Sequence, residues 1–308
     1  FMEKELMEFQ TSDAGVQTAS FTKDTASGLG ENVIPAQTCG SCANSSQPQT
    51  IKTVSYVYAL GSIGIRFPSV SVEREFAQAI SRIDTKGLTD AQAMQKLLSL
   101  RENRYLARLV CWVMSIEGLE TYILVPRDPT DYEMLIEAVR DSPSHSDIDV
   151  VIGVQGPIAS PDRCNGLTVP IVLFDQIYSF DRDTLIKAIP RPSNAPVKGF
   201  TDSAGELLDR IQQIADNAGS TDEHRALNYL TVRYPSIYAS TADAHARNFS
   251  LTSVEVLQSR LSSVRKILDV ILVYTNRTTD VAEKYFVRVD VSDEFPFLVT
   301  KLSPYYNR

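Results

Sequence analysis

Polar and apolar residues along the chain follow two periods, and each period predicts a different element. After residue 68, Val72, Phe76 and Ile80 recur at helical spacing, which predicts an amphipathic helix. Thr89 and Gln92 then form a capping-box pattern, in which a side-chain oxygen and an amide satisfy free backbone groups at a helix start. Two helices are therefore expected between residues 68 and 100.

The next segments predict a third helix, a strand and a fourth helix. In RENRYLARLVCWVM (101–114) the leucines and valines fall on one helical stripe. GLETYILVP (118–126) then has strand composition and ends in proline. Thr130 with Glu133 is a second capping-box pattern, and we expect a helix to begin there.

Strand patterns occupy the start, the middle and the end of the remaining chain. Aromatic and β-branched residues flank Gly61, which predicts a strand pair or one bent strand. The strands predicted after it are 147–156, 167–180, 267–277, 283–291 and 295–302. Helices are predicted at 181–189, at 206–219 with Gly219 as C-cap, and at 222–230. Because strands and helices mix without a regular βαβ repeat, the predicted fold class is α+β with mainly antiparallel sheet.

Composition divides the chain into an arm and a folded domain. Residues 10–50 are rich in Ser, Thr, Gln, Asn, Ala and Gly and poor in large apolar residues. Such segments do not bury enough apolar surface to order the backbone, so residues 1–50 are predicted to be a flexible arm. Residues 51–308 are predicted to form one domain. Three prolines in PRPSNAPVKG indicate that this domain has two lobes joined near 190–200.

Charge and hydropathy exclude some functions. The formal charge is −8 and the basic residues are not clustered, which argues against nucleic-acid binding. No apolar run approaches the roughly 18 residues that a membrane span needs. The first residues, FMEKELMEFQ, lack the basic start and apolar stretch of a signal peptide, so we expect a cytoplasmic protein.

The four cysteines suggest a structural zinc site. Cys39 and Cys42 have the C-x₂-C spacing that supplies two thiolates from one tight turn. Completion of a tetrahedral site would need Cys111 and Cys164, the two remaining cysteines. Cys164 lies in a Pro-, Asp- and Gly-rich loop, and a helical projection turns Cys111 away from the leucine stripe. In a reducing compartment, metal binding is favoured over a disulfide.

Other interpretations of these side chains stay open. The cysteines could be four inert thiols, and a histidine ligand could be His145 in its serine-rich loop. A redox C-x-x-C is disfavoured because such motifs open a helix after a strand. The sequence contains no H-E-x-x-H, G-x-S-x-G or phosphate-binding glycine motif. Acidic pairs Asp147/Asp149 and Asp181/Asp183 are typical of helix caps and solvated turns.

Several long stretches resemble one family. They are SYVYALGSIGIRFPSVSVEREFAQA (55–79), NRYLARLVCWVMSIEGLETYILVPRDPTD (103–131), the segment from DIDVVIGVQG to IPRP (147–192), and the segment from SRLSSVRKIL to the end (259–308). Together they are similar to the C-terminal domain of unknown function of PatG-type proteins, which make cyanobactins, cyclic ribosomal peptides. The similarity covers most of residues 51–308.

The resemblance implies a pathway rather than a reaction. In PatG-type proteins this domain follows a subtilisin-like macrocyclase, so the implied partner is a protease domain of the same polypeptide. We expect a non-catalytic accessory domain with a structural zinc, acting on the protease or the precursor peptide, and forming a homodimer. The alternatives are a cryptic enzyme that uses the 153–164 loops near His145, or a peptide-recognition module that uses a strand edge.

Overall fold

A five-stranded barrel forms the first half of the described chain. The computed structural model describes residues 54–144, 146–189, 197–212 and 216–306. The barrel strands are β1 (Tyr56–Arg66), β2 (Cys111–Ile116), β3 (Leu119–Pro126), β4 (Asp147–Ile158) and β5 (Pro170–Asp181). They close in the order β1-β2-β3-β5-β4, and only the β3–β5 pair is parallel. This order is that of the OB barrel, a fold that binds ligands with its β2–β3 face and its connecting loops.

One bent strand lets the barrel close. Residues 56–61 of β1 pair with β4, and residues 62–66 pair with β2. The bend falls at Gly61, where a Cβ atom would lie 2.3 Å from the backbone oxygen of Ser115. Only glycine allows this close approach of two strands. Of the two predictions made for this segment, the bent strand is correct.

Helices between β1 and β2 close one side of the barrel. They are α1 (Val70–Ser81), α2 (Asp90–Ser99) and a 3₁₀ helix (Arg101–Arg108). The capping box predicted at Thr89 is present at the start of α2. Phe76, Leu97 and Leu106 are almost fully buried in a cluster with residues of the barrel interior such as Trp112 and Phe174. The apolar stripes of these short helices therefore complete the barrel core.

A second layer covers the outer face of β1 and β4. It contains α4 (Arg182–Ala188), α5 (Val197–Gln212), α6 (Asp222–Arg233), α7 (Ser236–Ala246) and an antiparallel sheet in the order β6-β7-β8-β9. The sheet strands are β6 (Phe249–Gln258), β7 (Ile267–Asn276), β8 (Ala282–Asp290) and β9 (Phe297–Pro304). Alternate residues of β7 and β8 share one apolar cluster with Tyr58 and Val150 of the barrel.

Direct hydrogen bonds join the barrel to this second layer. Tyr58 donates its backbone N–H to the carbonyl of Gly219 at 2.9 Å. The side-chain amide of Asn228 in turn donates to the Tyr58 carbonyl at 2.8 Å. These residues belong to a unit that begins at Lys52. Among the described residues, no helix is long and apolar enough to cross a bilayer.

The predicted α+β class is confirmed, but three local predictions are wrong. The helix predicted through 101–114 ends as a 3₁₀ helix at Arg108, and β2 begins at Cys111. Thr130 does not cap a helix; Asp128 accepts its N–H at 2.8 Å in a 3₁₀ turn before α3 (Tyr132–Ala138). Gly219 lies seven residues beyond Gln212, the last described residue of α5. Strand β6 and helix α7 were not predicted.

Candidate functional site

The structure brings Cys111 and Cys164 together on the outside of the barrel. They form a disulfide, with Cα atoms 5.9 Å apart, that ties the start of β2 to the β4–β5 loop. Both cysteines are buried in a small apolar cluster with Val113, Ile123 and Ile171. Sequence composition favoured metal over disulfide for the cysteines, and for this pair the structure shows a disulfide. The two cysteines are 53 residues apart, so no local spacing in the sequence predicts their pairing.

The helical projection predicted for Cys111 is wrong, because Cys111 begins a strand and shares a cluster with Val113, which the projection placed on the opposite side. Cys111 lies on a strand, where successive side chains point to opposite faces, and its neighbour Trp112 fills the barrel interior. Cys111 therefore leaves the main core, although it remains buried under the β4–β5 loop. Arg66 holds this loop by donating hydrogen bonds to the carbonyls of Cys164 and Asn165, both at 3.1 Å.

The structure describes two of the four predicted zinc ligands, Cys111 and Cys164. Sulfurs joined in a disulfide are not thiolates, and zinc takes cysteine as the thiolate. Cys39, Cys42 and His145 lie outside the described residues. Within the described part of the chain, no three His, Cys, Asp or Glu side chains group as metal ligands. A site that includes all four cysteines stays a prediction.

A polar pocket of about 380 Å³ opens near the bend of β1. Its wall includes Gly61, the β2–β3 turn, Asp147 and Arg182. Beside it, Asp149 is 2% exposed and lies within β4. The prediction of a solvated turn or cap is therefore wrong for Asp149. In sequence it stands between two apolar β4 residues, which was a signal of burial on a strand.

Every carboxylate oxygen of Asp149 has a partner in the protein. It accepts hydrogen bonds from the Ile63 N–H at 2.7 Å, from the Ser179 hydroxyl at 2.7 Å and from Arg140 at 3.2 Å. Burial raises the pKa of Asp149, whereas the hydrogen bonds of Ser179 and Ile63 and the charge of Arg140 oppose this shift. Arg140 also pairs with Asp147 at 3.2 Å. The network holds β1, β4 and β5 together at the bend.

Asp181 confirms the helix-cap prediction. Its carboxylate accepts the Thr184 N–H at 2.9 Å at the start of α4 and the Ser146 hydroxyl at 2.6 Å. The hydrogen bond from Ser146, followed by that from Thr184, lowers the pKa of Asp181. The next residue, Arg182, pairs with Asp209 of α5 at 2.5 Å. These carboxylates therefore have structural partners at the pocket rim.

A second polar cluster joins the barrel to the β8–β9 loop. Arg127, just after β3, pairs with Asp175 of β5 at 2.7 Å and with Glu294 of the loop at 3.2 Å. Burial, and then the hydrogen bond and charge of Asp175, raise the pKa of Glu294 to about 7, against the opposing charge of Arg127. Arg225 of α6 holds the same loop through the Val291 carbonyl at 2.8 Å.

Comparison with known proteins places this fold. Residues 194–305 match the family model described as PatG C-terminal. A solved structure described as the PatG domain of unknown function superposes with a TM-score of 0.65 at 21% identity, covering 82% of this chain and 98% of that chain. No curated protein matches the chain. The resemblance to PatG C-terminal domains is confirmed.

The PatG-type match and the two polar clusters fall on different parts of the fold. The family match begins just before α5 and ends after β9, so it includes Glu294 and Arg225. Arg127, Asp175 and Asp149 belong to the barrel, before the matched residues. The solved PatG domain is similar in fold over a larger share of the chain than the family match covers.

Proposed function

We propose that the chain is a non-catalytic accessory domain of a peptide-maturation protease of the cyanobactin type, and that it acts in the cytoplasm. The observation that carries this proposal is the match of residues 194–305 to PatG C-terminal domains. The proposed partner is the protease or macrocyclase domain of the same polypeptide. A homodimer is part of the same proposal.

The environment of the buried carboxylates supports a structural role. Asp149 uses its oxygens to hold Ile63, Ser179 and Arg140, so its contacts fix the bend of β1. Loss of one partner from such a buried network leaves a buried polar group without a hydrogen bond, which costs free energy. The intact network therefore favours a rigid barrel. A rigid body with an exposed surface is what a positioning domain needs.

A reconstituted reaction tests the accessory role. A protease domain from a cyanobactin-type pathway is incubated with its precursor peptide, alone, with this chain, or with an unrelated acidic protein at the same concentration. We expect this chain to bind the protease domain in calorimetry and to change the rate of product formation measured by mass spectrometry. Absence of both effects contradicts the proposal. Conversion of the precursor by this chain alone supports the cryptic-enzyme alternative instead.

We also propose the structural zinc as a property of the reduced protein. Reduction of the Cys111–Cys164 disulfide would give two thiolates on one side of the barrel, and Cys39 and Cys42 would supply the other two. Elemental analysis of protein purified under reducing conditions should find one zinc per chain, and Cys39→Ala with Cys42→Ala should lose it. A metal content that does not depend on these two cysteines would overturn the four-cysteine site.

A further inference from the structure

We propose that the surface around Tyr105 binds an acidic peptide segment through arginine side chains. This arginine–tyrosine surface consists of Arg74, Arg82, Arg104, Tyr105, Arg108 and Tyr132. It lies on the helices between β1 and β2 and on α3, and none of its residues belongs to the clusters around Asp149 or Glu294. It is thus a candidate binding surface apart from those clusters.

Tyr105 stands between two hollows. Its side chain is 50% exposed on the 3₁₀ helix between α2 and β2. One hollow, of about 390 Å³, is lined by Arg104, Arg108 and Tyr132. The other, of about 340 Å³, is lined by Arg74, Arg82 and the polar side of α1, including Glu75 and Gln78. Since Tyr105 lines both hollows, a bound chain could cross the ring and place a side chain on either side.

The surface carries an excess of positive charge in an acidic chain. The two hollows contain four arginines and two glutamates, whereas the whole chain has a net charge of −8. Glu133 pairs with Arg104, and the carboxylate of Glu75 near the Tyr105 hydroxyl raises the pKa of Tyr105. Within the described part of the chain, the other three arginines, at positions 74, 82 and 108, form no ion pair.

The aromatic rings position part of this charge. The guanidinium carbon of Arg108 lies 5.7 Å from the centre of the Tyr132 ring, within the range of a cation–π contact, which leaves its N–H groups available to a ligand. A guanidinium can bind a carboxylate through two parallel hydrogen bonds. Exposed Tyr105 offers a ring against which an apolar side chain can pack. The chemistry fits a peptide with acidic residues on both sides of an apolar one.

A peptide fits this surface better than a nucleic acid. Nucleic-acid affinity comes mainly from neutralising successive phosphates with Lys and Arg, and here two glutamates lie among the arginines and repel phosphates. Individual carboxylates of a short peptide can instead each form an ion pair with an arginine in one of the two hollows. The proposal names a partner type for the accessory domain, and it rests on the proposed function only in taking that partner to be a peptide.

Fluorescence anisotropy with defined probes tests the surface. The probes are a labelled peptide Asp-Glu-Phe-Glu-Asp, its counterpart with lysine at each acidic position, and a labelled single-stranded oligonucleotide. The protein variants are Arg82→Ala with Arg108→Ala, which removes one free arginine from each hollow, and Tyr105→Ala. Arg260→Ala, an exposed arginine between β6 and β7, is the matched control. Unchanged thermal unfolding shows that each variant is folded.

We expect the acidic peptide to bind and the lysine peptide not to bind. Binding should weaken about tenfold or more in the double arginine variant, as when central interface residues are truncated, and remain unchanged in Arg260→Ala. It should also weaken as salt rises from about 50 to 200 mM. Equal binding by the double variant and the wild type would overturn the proposal, as would tighter binding of the oligonucleotide or no binding of the acidic peptide. These failures leave the accessory role standing, because that role is measured with the protease domain.

Discussion

Replacing Glu294 by glutamine should remove a pH-dependent part of the stability. The folded-state pKa of Glu294 is raised from 4.5 to about 7, so the folded protein binds the proton more tightly than the unfolded chain does. The resulting stabilisation is complete below about pH 4.5 and is lost as the pH rises through about 7. In Glu294→Gln the side chain cannot titrate, so this pH-dependent loss of stability is absent.

The size of the effect follows from the shift. A difference of about 2.5 between the folded and unfolded pKa values corresponds to a change of about 3.4 kcal/mol in the free energy of unfolding across the whole titration. Glu294 is 13% exposed and shares its site with Asp175 and Arg127, so solvent screening reduces the effect. We therefore expect a measured change of about 1.5 kcal/mol between pH 4.5 and 7.5.

Urea unfolding at a series of pH values measures this difference. The free energy of unfolding of wild type minus that of Glu294→Gln should fall as pH rises, and titrating groups that do not contact residue 294 cancel in the subtraction. Glu137→Gln, an exposed position on α3, is the control and should show a flat difference. If the Glu294 difference is equally flat, the raised pKa of Glu294 is refuted.

Two further substitutions test the contacts that hold the barrel. Gly219→Ala should lower the free energy of unfolding in urea by about 3 kcal/mol or more, since φ is +72° and a Cβ would lie 2.3 Å from the Tyr58 oxygen. The control Gly87→Ala, with φ of +76° and open space around it, should lower it by only about 1 kcal/mol, and equal losses would contradict the close approach at Gly219. Under oxidising conditions, Cys111→Ala with Cys164→Ala should lower the free energy of unfolding by about 2 to 4 kcal/mol relative to wild type. The difference should be much smaller when both proteins are kept in a thiol reductant, and a difference that does not depend on the reductant would argue against the disulfide.

Local patterns were sufficient for many of the helices and strands. The capping box at Thr89 and the strand predicted at 283–291 depend on residues within a few positions of one another, and the structure has both, the strand as β8. The helical stripe at 101–114 misled because a 3₁₀ helix followed by a strand can show the same short apolar period. There, barrel closure overrode local preference, because a strand at this position places the Trp112 side chain in the barrel core.

The candidate sites were mostly beyond sequence patterns. Nothing in the local sequence marks Glu294 as a partner of Arg127 and Asp175, because these residues come from a loop, a strand end and a strand that are distant along the chain. Asp149 could have been found from its place between apolar strand residues, as an acidic residue buried on a sheet requires partners. The arginines around Tyr105 come from α1 and from the 3₁₀ helix, so their convergence also depends on packing.

The sequence by itself determined the α+β class, the existence of strands β7 to β9 and the resemblance to PatG-type domains. The class and the strands follow from residue types and from spacings of two to four positions, and the resemblance follows from the long stretches that carry it. Only the tertiary structure decided the barrel order, the Cys111–Cys164 disulfide and the shared environment of Asp175 and Glu294. Each of these depends on which distant segments share an apolar core, and burial there changes the chemistry of side chains that look ordinary in the sequence.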